Sequence, residues 1–225
     1  MTQSSSLPLF PLGMVLYPGV VLPLHIFEHR YRRLVRDLLE IEDGERLFGV
    51  VAIKAGREVG THDRTALHDI GCTAELRYAE AYDDGRFDII AAGVTRFRIL
   101  DVEAVEPLRA DIEFLPDAFS ERSVSLAQRV GRQFTAYRTT LLAAQGMRDV
   151  EDEDPVLPDD PAELAYLVAA AMILDLTDKQ AILEAPTLDD RLRLELSLLR
   201  REASMVGTLS LRPAVELPRA PYAAN

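Results

Sequence analysis

The chain has 225 residues, enough for one domain, or for one domain with a compact subdomain, and for a core that needs no disulfide or metal staple. Acidic residues outnumber basic ones by 37 to 25; the resulting net charge of −12 argues against a general binder of nucleic acid or anionic membranes, both of which require a basic surface. The single cysteine, Cys72, excludes an internal disulfide and fits a reducing compartment, residues 1–6 carry no signal-peptide pattern, and the apolar stretch 164–174 is too short to span a bilayer, so the chain reads as cytoplasmic.

The first half is β-rich. One helix interrupts it over residues 28–41, with Tyr31, Leu34, Val35, Leu38 and Leu39 on one face and Arg30, Arg32, Arg33 and Arg36 mostly elsewhere. Residues 47–53 form a continuous apolar run, the pattern of a strand buried on both faces. Asp84-Gly85 signals a type I′ hairpin. A two-residue loop there pairs Tyr82 with Phe87 and Tyr78 with Ala91, on one face with Leu76 and Ile89. In the next strand Phe97 and Ile99 alternate with Arg96 and Arg98. Past Leu100 the phase flips to Val102 and Ala104 against Asp101 and Glu103, which predicts a β-bulge.

The second half is helical. Val124, Ala127, Val130, Phe134, Tyr137, Leu141 and Ala144 recur at spacings of three and four, the seam of a long amphipathic helix. Residues 149–160 form an acidic, proline-bearing linker. Asp160-Pro161 then supplies an N-cap and a first-turn proline, and the helix through Leu174 is apolar nearly all round, as expected for the middle of a bundle. Thr177-x-x-Gln180 reads as a capping box for a short helix that Pro186 ends. Thr187 caps a last helix to about Val206 with Gly207 as its C-cap; its seam is Leu188, Leu192, Leu196, Leu199, Ala203 and Val206. The three prolines past Leu211 predict a disordered tail over 211–225.

The string Leu7-Pro8-Leu9-Phe10-Pro11-Leu12, followed by Val15-Leu16-Tyr17-Pro18-Gly19, Leu22-Pro23-Leu24-His25-Ile26-Phe27-Glu28 and Arg30-Tyr31-Arg32, resembles the opening of the N-terminal substrate-binding domain of Lon proteases. Residues 69–76 and 93–99 look like that domain's central β region, and 160–165, 179–184 and 191–192 like its helical part, so the resemblance spans roughly 7–206. It implies an α+β fold, a PUA-like β pseudo-barrel with one inserted helix over 7–116 and a helical bundle over 120–206. In full-length Lon this domain recruits substrates and helps assemble the hexamer, and an ATPase and a Ser-Lys peptidase domain follow it. Here no G-x-x-x-x-G-K-[ST] occurs, and the only lysines are Lys54 and Lys179. The expectation is a non-catalytic module without cofactor, metal or catalytic residues. Its partners are unfolded or extended polypeptide and a protease or chaperone.

Two other classes compete. His25-Ile26-Phe27-Glu28-His29 reads as H-x-x-E-H, which would bind zinc if both histidines shared a helical face. Cys72 could act as a nucleophile if His62 or His68 lay beside it. Either would make a hydrolase. Against zinc, Pro23 and the Val20-Val21-Leu22 run make the segment before Glu28 extended; against the thiol, a lone cysteine usually behaves as a small apolar side chain. The arginine row could touch RNA, as some PUA-like folds do, although no aromatic RNA-binding motif accompanies it. For polypeptide binding the candidate surface is Phe10, Pro11, Met14, Tyr17 and Phe27, apolar residues in a segment that proline and glycine keep out of helix.

Overall fold

Residues 4–54, 64–144 and 156–210 are described by a computed structural model of the chain, apart from the side chains of 4, 5 and 207–210. The apolar runs of the first half become six strands: β1 (Ser4–Leu12), β2 (Val21–Ile26), β3 (Leu47–Ala52), β4 (Ile70–Ala81), β5 (Phe87–Glu103) and β6 (Arg109–Leu115). The helices are α1 (His29–Leu39) between β2 and β3, then α2 (Glu121–Ala144), α3 (Pro161–Ala171), α4 (Leu176–Glu184) and α5 (Leu188–Ser210).

The strand order is β2-β5-β4-β3-β1-β6, and β5 also pairs with β6. That extra pairing closes β5, β4, β3, β1 and β6 into a ring. β5 can serve three neighbours because it is 17 residues long: its first part pairs with β2 and its second with β6, while β4 follows it from Phe87 to Arg98. Among the described residues β2 is therefore left as a flap with one free edge. Close backbone approach holds that flap. The Gly19 amide donates to the Gly93 carbonyl and the Gly93 amide to the Val20 carbonyl, both at 2.9 Å, and a side chain at Gly93 would overlap the Tyr17 carbonyl.

β3 is the continuous apolar strand expected from the sequence, almost wholly buried between β1 and β4. The bulge falls where the phase flips: Ile99 pairs with Ile112 and Asp101 with Asp111, leaving Leu100 as the extra residue, 54% exposed.

The hairpin differs from the expected one. Ala81, not Tyr82, pairs with Phe87, and Tyr78 pairs with Ile90, not Ala91. The Gly85 amide donates to the Tyr82 carbonyl and the Tyr82 amide to the Arg86 carbonyl, so three residues form the loop. Gly85, at φ +80°, ends it in a bulge of the glycine type. An Asp-Gly pair fits both loop lengths; the longer one moves Tyr78 and Tyr82 to the solvent face.

α1 buries Tyr31, Leu34, Val35 and Leu38 against β1, β3 and the first halves of β4 and β5, whereas Leu39 stays partly exposed. On α2 the buried seam begins at Ser123 and Leu126 rather than Val124 and runs through Phe134 to Tyr137; Ala144 is exposed. The linker expected at 149–160 falls mostly outside the described residues. Asp160 caps α3 as expected, accepting from the amides of Ala162 and Glu163 at 2.9 Å. α3 ends at Ala171 rather than Leu174, because Met172 turns extended into the bundle.

The cap of α4 is Asp175, whose carboxylate accepts from the Asp178 amide at 2.8 Å. Thr177 lies inside the helix and Gln180 is used elsewhere, so the expected capping box does not form. Thr187 caps α5 as expected, accepting from the Asp190 amide at 3.1 Å. α5 runs through Gly207 to Ser210, so Gly207 is not a C-cap. A glycine costs a helix only about 1 kcal/mol, too little to stop it by itself. The tail 211–225 lies outside the described residues.

Candidate functional site

The sheet tip made by β4, β5 and β2 carries two cross-strand rows facing solvent. Register places Tyr78, Ile90 and Pro23 side by side in the first, and Glu80, Asp88 and His25 in the second. Tyr78 is 54% exposed and Ile90 42% exposed. Val21 extends the apolar row along β2, and Tyr82 and Phe27 flank it, all exposed. A hollow of about 420 Å³ lies over these rows.

The polar row is internally bonded. His25 Nδ1 and Asp88 Oδ1 are 2.5 Å apart, and the Tyr82 hydroxyl donates to Asp88 Oδ2 at 2.5 Å. These bonds, the Tyr82 one foremost, hold the Asp88 carboxyl below the usual range. His25 and Phe27 stack with ring centroids 6.4 Å apart.

On the other side of β2 a slot of about 150 Å³ is lined by Phe10, Pro11, Leu24, Phe27, Glu28 and Tyr31, among others. Phe10 stacks on Tyr31 at 3.9 Å between centroids, forming its aromatic wall.

The structure thus divides the five sequence candidates. Phe10, Pro11 and Phe27 meet at the slot, although only Phe27 is exposed; Phe10 and Pro11 are buried. Met14 is exposed in the bend after β1 and lines neither hollow. Tyr17 is 1% exposed and points into the helical half, where its hydroxyl donates to the Lys179 carbonyl at 2.8 Å. A single patch of all five does not exist, because β1 continues to Leu12 and turns Phe10 inward. Val21, Pro23, Tyr78, Tyr82 and Ile90 were not singled out from sequence. The alternation of β4 and β5 would have found the last three with the three-residue loop.

A larger groove of about 800 Å³ lies between Pro18–Val20, Val94 and α3, with Asp117 and Tyr166 in its wall. Asp117 and Tyr166 are already committed to each other and to buried arginines. Asp117 accepts from Arg96 and Arg191 at 2.9 Å each and from the Tyr166 hydroxyl at 2.5 Å.

The competing chemistries meet physical obstacles. His25 is on β2 and His29 begins α1, so the two histidines do not share a helical face. Cys72 is fully buried, its thiol pushed up to about 12 chiefly by that burial. His68 is engaged with Glu184 at 3.2 Å, and His62 lies outside the described residues. In the arginine row, Arg30 pairs with Glu28 and stacks on Tyr31, Arg33 faces Asp37, and Arg32 donates to the Asp84 carbonyl.

Comparison with known proteins supplies the family. The chain is 29% identical over 211 residues to Lon protease 1 of Herpetosiphon aurantiacus and 30% identical over 213 residues to the Lon protease of Desulfovibrio desulfuricans. These matches cover 87% and 92% of this chain, but only 24% and 23% of those proteins; the chain spans about a quarter of the length of the curated relatives it matches. Among solved structures, the Lon N-terminal domain protein of Xanthomonas campestris superposes with a TM-score of 0.60 at 23% identity, over 86% of this chain and 98% of that one. The N-terminal domain of Mycobacterium avium complex Lon protease gives 0.63 at 18% identity, over 89% and 98%. The model of the ATP-dependent protease La (LON) substrate-binding domain matches residues 6–201, and the chain belongs to that family.

Proposed function

We propose that this chain is a non-catalytic binding module for unfolded or extended polypeptide, and that the tip of β2, β4 and β5 is its contact surface. The reading rests on one observation: Tyr78, Ile90, Pro23 and Val21 form a solvent-facing apolar row, flanked by Phe27 and Tyr82, on a strongly acidic protein. Exposed apolar groups gathered in one place favour a partner over water. The family's description as a substrate-binding domain supports polypeptide as that partner. The engaged arginines and the charge of −12 weigh against nucleic acid, and the inert Cys72 and the separated histidines weigh against hydrolysis. Among the described residues no helix is long and apolar enough to cross a membrane. Function in the cytoplasm, in concert with a protease or chaperone, is part of the same proposal.

The test is Phe27→Ser combined with Ile90→Ser. Both side chains are largely exposed, so thermal stability should change little, while capture of a chemically denatured model protein falls at least about tenfold. Undiminished capture by the folded variant would remove this surface from consideration.

A further inference from the structure

We propose that the guest polypeptide binds as an added β-strand along the free edge of β2, with its alternate side chains divided between the slot and the outer hollow. This rests on the polypeptide-binding reading and gives it a mode and a guest sequence pattern.

The first support is the ladder. Among the polar backbone groups where the chain enters β2, the Val20 carbonyl accepts from the Gly93 amide and so faces β5, while the Val20 amide donates to the Tyr17 carbonyl. Alternation then turns those of Leu22, Leu24 and Ile26 to β5, and those of Val21, Pro23 and His25 away from it. No strand pairs with that outer edge among the described residues. It offers the amides of Val21 and His25 and the carbonyls of Val21, Pro23 and His25. Pro23, which has no amide hydrogen, sits where none is needed for the fold.

The second support comes from the facing strand. β1 pairs with β6 only as far as Pro8 and with β3 from Leu9 onward. Leu12 accepts from the Ile53 amide on the β3 side, whereas the Leu9 amide donates the other way, to Leu108. The Pro11 carbonyl therefore faces away from β3, and Pro11 lines the slot together with β2 residues. The slot is thus a gap in the wall between two strand edges, and each edge carries a proline at an outward position.

The third support is chemical asymmetry. The slot is walled by Phe10, Phe27 and Tyr31, and the one carboxylate in its lining, Glu28, is paired with Arg30, whereas the outer hollow holds the Glu80 and Asp88 carboxylates beside Tyr78 and Ile90. A strand projects successive side chains to opposite faces. The matching guest is an extended segment that alternates apolar residues, taken by the slot, with basic ones, taken by the outer face.

The test uses a fluorescently labelled ten-residue peptide alternating valine and lysine, titrated with the intact chain and read by anisotropy. Side-chain alternation pins the guest's facing, so in a given strand direction only one set of its amides points at β2. N-methylating every second amide should weaken binding about tenfold or more in one frame and leave it within about twofold in the other. The Val21→Pro chain, lacking an outward amide, should bind the parent peptide several-fold more weakly while keeping its melting temperature. Equal effects in the two frames, or tight binding to the folded Val21→Pro chain, would overturn strand addition and leave the polypeptide-binding reading standing. No binding of the parent peptide, together with no capture of denatured protein, would overturn both.

Discussion

Asp117 ties three elements together. Lying between β6 and α2, it accepts from Arg96 of β5, Arg191 of α5 and Tyr166 of α3. Arg96 and Arg191 are 3% and 0% exposed, so without Asp117 two buried guanidinium groups would lose their counter-ion. Asp117→Asn should destabilise the fold by about 3–5 kcal/mol in urea unfolding, the usual result of breaking a buried pair from one side. The pH dependence follows. Burial opposes ionisation of Asp117, but Arg191, the Tyr166 hydroxyl and Arg96 outweigh it and hold the carboxyl below its ordinary 3.8. A depressed folded value means that its contribution is present above the unfolded value and lost as pH falls through the folded one. The natural chain should therefore lose stability below about pH 4 more steeply than Asp117→Asn. Parallel acid profiles would show that this carboxylate does not carry the linkage.

At the level of elements, the caps show how near neighbours compete. Asp175 and Thr177 both lie at the start of α4, and both have a hydrogen-bonding side chain of the capping kind. The chain enters the helix at Asp175, extended at φ −70° and ψ 168°, and the barrel fixes that entry point. Gln180, about one turn in, donates to the Ile70 carbonyl of β4 at 2.9 Å, and the Tyr17 hydroxyl reaches the Lys179 carbonyl. At the other end, Arg96 donates to the Leu183 and Ala185 carbonyls, so a cation from the barrel satisfies the last turn of the helix. Asp175→Ala should cost about 1 kcal/mol and Thr177→Ala a few tenths at most. Equal losses in thermal melts would restore the capping box that sequence reading favours.

At the level of the whole molecule, strands end at Leu115 and helices resume at Glu121, yet the two halves share a core. Val15, Tyr17 and Ala52 from the strand half pack in one cluster with the bundle residues Phe134, Tyr166, Leu192 and Leu199. We expect the portions 7–116 and 120–206 to unfold together rather than as separate units. Cys72, fully buried on β4, reports on the barrel, and Phe134, on the buried seam of α2, is a lever on the bundle. Phe134→Asp buries a charge without a partner and should cost at least about 4 kcal/mol. In urea, helix loss by circular dichroism and Cys72 reaction with a thiol reagent should shift to the same lower midpoint. A Cys72 transition left at its original midpoint would show that the barrel stands by itself.

The sequence by itself determined several features that depend on near neighbours and periodicity. The buried β3 run, the bulge at Leu100, the Asp160 and Thr187 caps and the helical second half follow from side-chain alternation, phase and local hydrogen-bonding capacity. The family was legible in the residue 7–32 string. Tertiary structure decided what near neighbours leave open. Asp84-Gly85 accommodates two loop lengths that differ by one residue, and the strand pairing of the folded chain, Ala81 with Phe87 and Tyr78 with Ile90, takes the longer. Phe10 and Tyr17 look alike in sequence to Phe27, but Phe10 stacks on α1, Tyr17 pins α4, and Phe27 stays 53% exposed at the slot with only the His25 ring stacked beside it. The free edge of β2 exists because β5 is long enough to pair elsewhere with β6 and close the ring without it. Which of these similar aromatic residues is covered depends on what arrives from distant parts of the chain, and the local pattern around each does not contain it.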